Sequence, residues 1–461
     1  MGSTQKRFIE SVKRSGRLSL NHAEQYLFSR PLHGLSLKWP AHPALKRWAI
    51  FIQSASRTTG ETTFAAKLAR DEFAFVNASL AIFFKTGLTS PVPHPYPLPA
   101  GQGDSATVMN EFRFLDRLRQ QANSRKHSTR ILTGIGDDAS IIRESATRDL
   151  LVTTDLLVEG VDFYVDATPA RLLGHKALAV SLSDIAAMGG RPCWSFLSFG
   201  LTRERWGGKF KDEFVEGYLA LADHFGVTLA GGDVSESPAG IVIDSIVLGE
   251  VESNAAVKRS GARAGDQVFV TGNLGGAAAG LKLIEMGARV EQKAESRRQE
   301  AESPAGDPST TRSDDDAIQS LLLHQLCPQP RVGWGMVLGE QHLATSMIDI
   351  SDGLSSDLHH LCKESNVGAL IDAAAIPLDH DVKQLCGRRA LDPLALALHG
   401  GEDFELLFTV PPENVSRLPR KVDGVQISRI GEIISPAGSI QVRERDRVWD
   451  LKPQGFSHFE D

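Results

Sequence analysis

Leu150-Leu-Val-Thr-Thr-Asp155, followed by Ala170-Arg-Leu-Leu-Gly-His-Lys-Ala-Leu-Ala-Val-Ser-Leu-Ser-Asp-Ile-Ala-Ala-Met188-Gly-Gly190, is the stretch on which the fold turns. The first part reads as a strand, and the second as a helix closed by its two glycines. Working outward, Asp212 to Phe225 predicts a second helix with Gly226 as its C-cap, and Val227 to Ala230 and Ile241 to Leu248 predict strands. Gly265-Asp-Gln-Val-Phe-Val-Thr-Gly272 predicts a strand running into a glycine turn, with a helix from about Gly275. Ser346 to Ile350 and Leu354 to Glu364 repeat the strand–helix unit. The expectation is an α/β (α+β) protein built of two layers of similar kind, with no short-period repeat.

Charge and composition divide the chain further. Residues 1–108 carry thirteen Lys and Arg against six Asp and Glu, about +7, which leaves −14 for the rest of a chain whose net charge is −7. This first part ends in Pro91-Val-Pro-His-Pro-Tyr-Pro-Leu-Pro99-Ala-Gly-Gln-Gly103, an extended linker. Met109 then opens an amphipathic helix with Phe112, Leu115 and Leu118 on one face. Three readings of 1–108 stay open: a translated upstream segment with no fold of its own, an appended module, or a poorly ordered extension. The expected domains are 109–257 and 258–461, the second broken by a disordered insertion at 288–317 that includes the acidic run Asp314 to Asp316. Hydrophobic content of 41% suits a soluble protein with a large core, and the acidic balance argues against a nucleic-acid binder. No segment reads as membrane-spanning or as a signal peptide, and the four cysteines show no metal spacing. The expected setting is therefore cytoplasmic.

The chemistry lies in aspartates set in apolar strands and glycine turns: Asp137 and Asp138 after Gly136, Asp155, Asp184, Asp233 after Gly232, and Asp349 with Asp352. A buried carboxylate is costly unless it is paired or binds metal. Lys and Arg are scarce beside these acids, whereas oxygen-rich clusters suit Mg²⁺ and substrate phosphates. Taken singly, each has a plainer reading. Gly-Asp pairs make turns, Asp184 could face solvent late in its helix, and Ser351-Asp352-Gly353 could cap the helix at Leu354. The acids of Gly400-Gly-Glu-Asp-Phe-Glu could sit exposed in a loop. The glycines of 272–280 read as close helix packing in preference to a dinucleotide loop.

In order, these motifs resemble the thiamine-monophosphate kinases, of the superfamily of aminoimidazole-ribonucleotide synthetase and selenophosphate synthetase. The resemblance runs from about Met109 to Phe459. It rests on Gly136-Asp-Asp138, Thr153-Thr-Asp-Leu-Leu-Val-Glu-Gly160, Lys176 to Gly190, Gly231-Gly-Asp233, Arg259-Ser-Gly-Ala262, Asp349-Ile-Ser-Asp-Gly-Leu354 and Gly400-Gly-Glu-Asp-Phe-Glu-Leu406. It implies a homodimer whose N-terminal sheets pair into a barrel, with ATP and several Mg²⁺ ions in a cleft between two domains. It assigns Asp138, Thr153, Thr154, Asp155, Asp184, Asp233, Asp349 and Asp352 to metal. Gly232, Asp233, Arg259 and Ser351 go to ATP, and Asp162, Glu402 and Phe456 to thiamine monophosphate. The implied reaction is direct in-line transfer, with no catalytic base. The chain departs from the family in having Asp162 where a His is usual, and Phe404 where Tyr is usual. The alternatives are a sibling ATP-using enzyme of the superfamily, which a reactive Cys in a glycine loop or a Cys-bearing tail would signal, or a non-catalytic nucleotide-binding regulator, which missing carboxylates would signal.

Overall fold

The computed structural model describes residues 111–125, 128–291, 313–389, 391–435, 437–456 and 458. The expected extension 1–108, its linker 91–103 and residues 292–312 of the expected insertion lie outside the described residues. The first described elements are α1 (Glu111–Asn123), β1 (Ile131–Thr133), β2 (Ser140–Arg143), β3 (Arg148–Val158) and α2 (Ala170–Ala187). There follow β4 (Arg191–Leu201), the single turn α3 (Arg203–Trp206), α4 (Phe210–Phe225), β5 (Thr228–Glu236) and β6 (Val242–Glu252). These strands form one sheet in the order β1-β2-β3-β6-β4-β5, antiparallel except for β4 with β5.

The second half holds β7 (Gln267–Thr271), α5 (Gly276–Glu285), α6 (Asp314–Leu326), α7 (Val332–Glu340), β8 (Ser346–Asp349), α8 (Leu354–Ser365) and β9 (Gly368–Asp372). It continues with α9 (His380–Arg389), α10 (Pro393–His399), β10 (Leu406–Val410), β11 (Lys421–Val422), β12 (Val425–Ile434), β13 (Ile440–Glu444) and β14 (Arg447–Asp450). Their sheet runs β14-β13-β9-β12-β7-β10-β8, with β11 beside β12 and only β9 with β13 parallel. Alternation of strand and helix in the sequence is real, but it builds mostly antiparallel sheets with helical layers, the α+β form of the expected fold.

Helix α2 is apolar nearly all round because it is buried nearly all round, from Leu172 and Leu173 to Ile185 and Ala187. It packs against the first sheet through Leu151, Ile243 and Val247, and its core continues into Trp334, Met347, Phe408 and Val410 of the second half. Two glycines let α4 approach it. A Cβ at Gly174 would stand 1.9 Å from the Phe214 carbonyl oxygen, and one at Gly217 would stand 1.8 Å from that of Arg171. The predicted C-cap of α4 is Gly226, at φ 67°.

Two expectations change. The acidic run is not disordered: Asp314, Asp315 and Asp316 form the first turn of α6, where carboxylates suit the helix dipole, and Ser313 caps it. The expected apolar face of α1 is not buried, since Leu115 and Leu118 are each 39% exposed. Arg119 pairs instead with both oxygens of Glu364, and Lys363 with Asp116, tying α1 to α8. The glycines of 272–280 do pack closely: a Cβ at Gly280 would meet the Leu321 carbonyl oxygen of α6 at 2.1 Å.

Candidate active site

Strand β3 alternates its faces, so Thr153 and Asp155 look toward α2 while Thr154 looks away. The pairing with β2 ends at Val152, so among the described residues β3 is paired with β6 alone from Thr153 onward. Helix α2 answers with hydroxyls set among apolar residues. Ser181 donates to Asp155 Oδ2 (2.6 Å), and Ser183 donates to Asp349 Oδ2 (2.7 Å) at the end of β8. Thr153 donates to Asp184 Oδ2. The last turns of α2 thus bridge the two sheets and bring acids from both to one place.

Asp138, Asp184 and Asp349 each offer an oxygen within 4.8 Å of the others. Burial pushes Asp349 up to about 8 and Asp155 up to about 6, and it holds Asp184 well above the usual carboxylate range, with the charges of Asp155, Asp349 and Asp138 adding to it. Arg259 partly offsets this gathering. Its Nε and Nη2 donate to Asp138 Oδ1 at 3.1 and 2.5 Å, and its backbone N–H donates to Asp137 Oδ1 at 3.1 Å. Local sequence offered these acids no partner, and the guanidinium that reaches Asp138 comes from 121 residues away. Asp138 Oδ2 remains buried with no partner among the described residues. A lone buried carboxylate oxygen beside two further acids fits a hard divalent cation, which takes oxygen ligands and retains water.

At the start of α8 the expected cap is replaced. Gly353, at φ 116°, holds the cap position, and Asp357 from within the first turn accepts the N–H groups of Asp352 and Gly353 at 3.2 and 3.0 Å. The Asp352 side chain is thus released from capping, and burial pushes it up to about 6. The Asp352 carbonyl accepts the Phe456 N–H (3.1 Å), and the Ser351 carbonyl accepts the Glu402 N–H (2.8 Å). The half-exposed Phe456 ring meets His458 edge-on at 4.8 Å.

A second cluster sits at the other end of α2. Lys176, 1% exposed, pairs with Glu402 Oε1 at 2.7 Å, and the Gln325 amide donates to Glu402 Oε2. Asp162 lies near enough to feel both Glu402 and Lys176, and its carboxylate accepts the Val158 N–H (2.7 Å), closing the turn after β3. The acids of the Gly400-Gly401 loop are not exposed but divided among three tasks. Glu402 takes Lys176. Asp403 accepts the Gly275 and Ala277 N–H groups (2.7 and 3.1 Å) and so caps α5. Glu405 takes Arg331 and the Thr271 hydroxyl. Capping by Asp403 occupies the amides that a phosphate would have used at α5.

Three predicted residues lie apart from the converging acids. Thr154 donates to Asp244 Oδ1 (2.7 Å) on the outer face of the first sheet. Gly232 and Asp233 sit on the edge strand β5, with Asp233 in register with Ser198 and Ser198 with Asp244. Gly232, at φ 152°, could carry no side chain, because its Cβ would stand 1.8 Å from the Leu197 carbonyl oxygen. Sequence reasoning missed Lys176, Gln325, Ser181, Ser183, Asp244 and Asp357. The polar residues inside the apolar run 176–184 were the available signal, since a Ser or Lys in a buried helix needs a partner.

The chain matches the family models for the N-terminal domain of AIR synthase related proteins over residues 136–251 and for the C-terminal domain over 263–443. It is 35% identical over 355 residues to the thiamine-monophosphate kinase of Escherichia coli strain K12, covering 75% of this chain and 96% of that protein. The thiamine-monophosphate kinase of Aquifex aeolicus is 32% identical over 353 residues, covering 76% and 98%. Among solved structures, "AaThiL complexed with AMPPCP and TMP" superimposes with a TM-score of 0.61 at 30% identity, covering 76% of this chain and 97% of that one. The thiamine-monophosphate kinase of Stenotrophomonas maltophilia gives 0.55 at 35%, covering 73% and 96%. With both halves matched in order, and nearly the full length of these relatives covered, the chain belongs to the thiamine-monophosphate kinase family.

Proposed function

We propose that this chain transfers the γ-phosphoryl group of ATP to the phosphate of thiamine monophosphate, forming thiamine diphosphate and ADP, with Mg²⁺ held by its buried acids. The observation that carries this reading is the convergence of Asp138, Asp184 and Asp349 around an unpartnered carboxylate oxygen. The relative solved with AMPPCP and TMP supports the choice of substrates. Asp138, Asp184 and Asp349 would hold the metal, with Asp155 and Asp352 beside them. When bound, such an ion neutralises phosphate charge and orients phosphate oxygens. Ser181, Ser183 and Thr153 fix three of the carboxylates by donating to one oxygen of each, which leaves the other oxygen of each for the cation. Arg259, Gly232, Asp233 and Ser351 are assigned to ATP, and Asp162, Glu402 and Phe456 to the acceptor.

An oxygen of the acceptor phosphate attacks the γ-phosphorus in line. The bond to the bridging oxygen breaks, and ADP leaves with that electron pair. The attacking oxygen is already ionised at neutral pH, so no side chain need take a proton. The proposal includes a homodimer formed through the outer face of the first sheet, where Leu156 is 60% and Trp194 37% exposed. It also includes a cytoplasmic location, to which four unbridged thiols belong.

The test incubates purified protein with ATP, Mg²⁺ and thiamine monophosphate and follows thiamine diphosphate and ADP. Equal amounts of both, abolished by EDTA, are expected. ATP and metal binding with no thiamine diphosphate formed would mean that the acceptor is another molecule.

A further inference from the structure

Glu402 is held more tightly than a ligand contact requires. Its backbone is left-handed, at φ 65°, an uncommon setting for a residue with a side chain. One carboxylate oxygen takes the ammonium of Lys176 and the other takes the amide of Gln325, from two different helices, α2 and α6. The Glu402 side chain is still 27% exposed, while Lys176 is buried behind it. Gln325 Oε1 is buried with no partner among the described residues. A buried unmatched acceptor costs stability, so Gln325 serves the core poorly, and a Leu of similar size would suit the site better. What the Gln contributes is the N–H that it aims at Glu402.

We propose that Lys176 and Gln325 are positioning residues that set acceptor specificity by clamping the two oxygens of Glu402, so that a fixed anion meets the organic part of the acceptor. The inference rests on the reading of Glu402 as an acceptor contact. Lys176 and Gln325 need not touch the acceptor; they act through Glu402. The charge of Lys176 also opposes the repulsion that Glu402 exerts on Asp162. Loss of either clamp frees the carboxylate to rotate or to turn back toward the protein. The affinity for acceptor then falls, while the nucleotide and metal end of α2 keeps its geometry.

Steady-state kinetics of wild type, Glu402→Gln, Gln325→Leu and Lys176→Met, each with a thermal unfolding curve, test this. Gln325→Leu is expected to unfold at the same temperature as wild type or higher, to raise KM for thiamine monophosphate roughly tenfold, and to leave KM for ATP unchanged. Lys176→Met is expected to raise KM for the acceptor further, with Lys176→Arg restoring part of it. Should Lys176→Met fail to fold, Gln325→Leu alone decides. An unchanged acceptor KM in Gln325→Leu, alongside a raised one in Glu402→Gln, overturns the clamp and leaves the site intact. An unchanged KM in Glu402→Gln removes Glu402 from the acceptor site and the inference with it. A wild type that leaves thiamine monophosphate untouched overturns the proposed function first.

Discussion

At the C-terminal end of α2, Asp184 meets Asp138 and Asp349, and the donors reaching these acids are hydroxyls from Thr153 and Ser183 and one guanidinium on Asp138. At the N-terminal end of the same helix, Glu402 meets a buried ammonium on one oxygen and an amide on the other. The first cluster keeps more negative charge than its surroundings neutralise, and burial pushes Asp184 and Asp349 upward; in the second, Glu402 is balanced by Lys176 from within the chain. A cluster left in charge deficit is built to receive a cation, whereas a balanced one is built to hold a shape.

Removing charge should therefore hurt the first cluster through chemistry. Asp184→Asn is expected to lower kcat by about a thousandfold, on the scale of lost electrostatic stabilisation, with the unfolding temperature unchanged or raised. A variant within tenfold of wild type would break the comparison at its main point. Gly217→Ala strikes both clusters together, since its Cβ would meet the Arg171 carbonyl oxygen at 1.8 Å and push α2 off α4. It should cost about 1–3 kcal/mol and raise KM for both substrates, measured by denaturant unfolding and kinetics.

The charge deficit also predicts a dependence on pH. Asp349 is pushed up to about 8 and Asp155 and Asp352 up to about 6, against an ordinary value near 4. The metal-free folded protein then holds more protons than the unfolded chain. The stability this contributes is full below about pH 4 and is lost as pH rises through 6 to 8. Mg²⁺ binds the ionised forms and should restore about 2.7 kcal/mol at a hundredfold excess over its dissociation constant, checked by thermal unfolding at pH 8 with and without EDTA. The smallest effect expected is at Thr154. With its hydroxyl on Asp244, Thr154→Val should change kcat less than threefold, while Thr153→Val, which takes a donor from Asp184, should lower it more. Equal losses would put the outer face of the sheet inside the metal site.

Much of this was legible in the sequence because it is local. The apolar run of 170–188 closed by two glycines, the glycine at 226 and the acids in apolar runs all announce themselves within a few residues. What could not be read was long-range pairing. Arg259 meets Asp138 across 121 residues and Gln325 meets Glu402 across 77, and neither motif marks its partner. The antiparallel order of the sheets also depends on which strands come to lie side by side, which alternation of strand and helix leaves undetermined. Asp357 was not legible as a partner of this turn, because a carboxylate four residues into a helix reaches back to the amides of Asp352 and Gly353 that precede it.

Helix α2 has one more consequence. Lys176 and Asp184 are eight residues apart on one unbroken helix, a rise of about 12 Å. Buried on nearly every side, the helix can neither shorten nor bend without disturbing the core. It therefore serves as a ruler. An acceptor bound as proposed, at Glu402 with its phosphate toward the aspartates, would be measured against that fixed spacing, and phosphate esters of smaller alcohols would be expected to reach one end and miss the other.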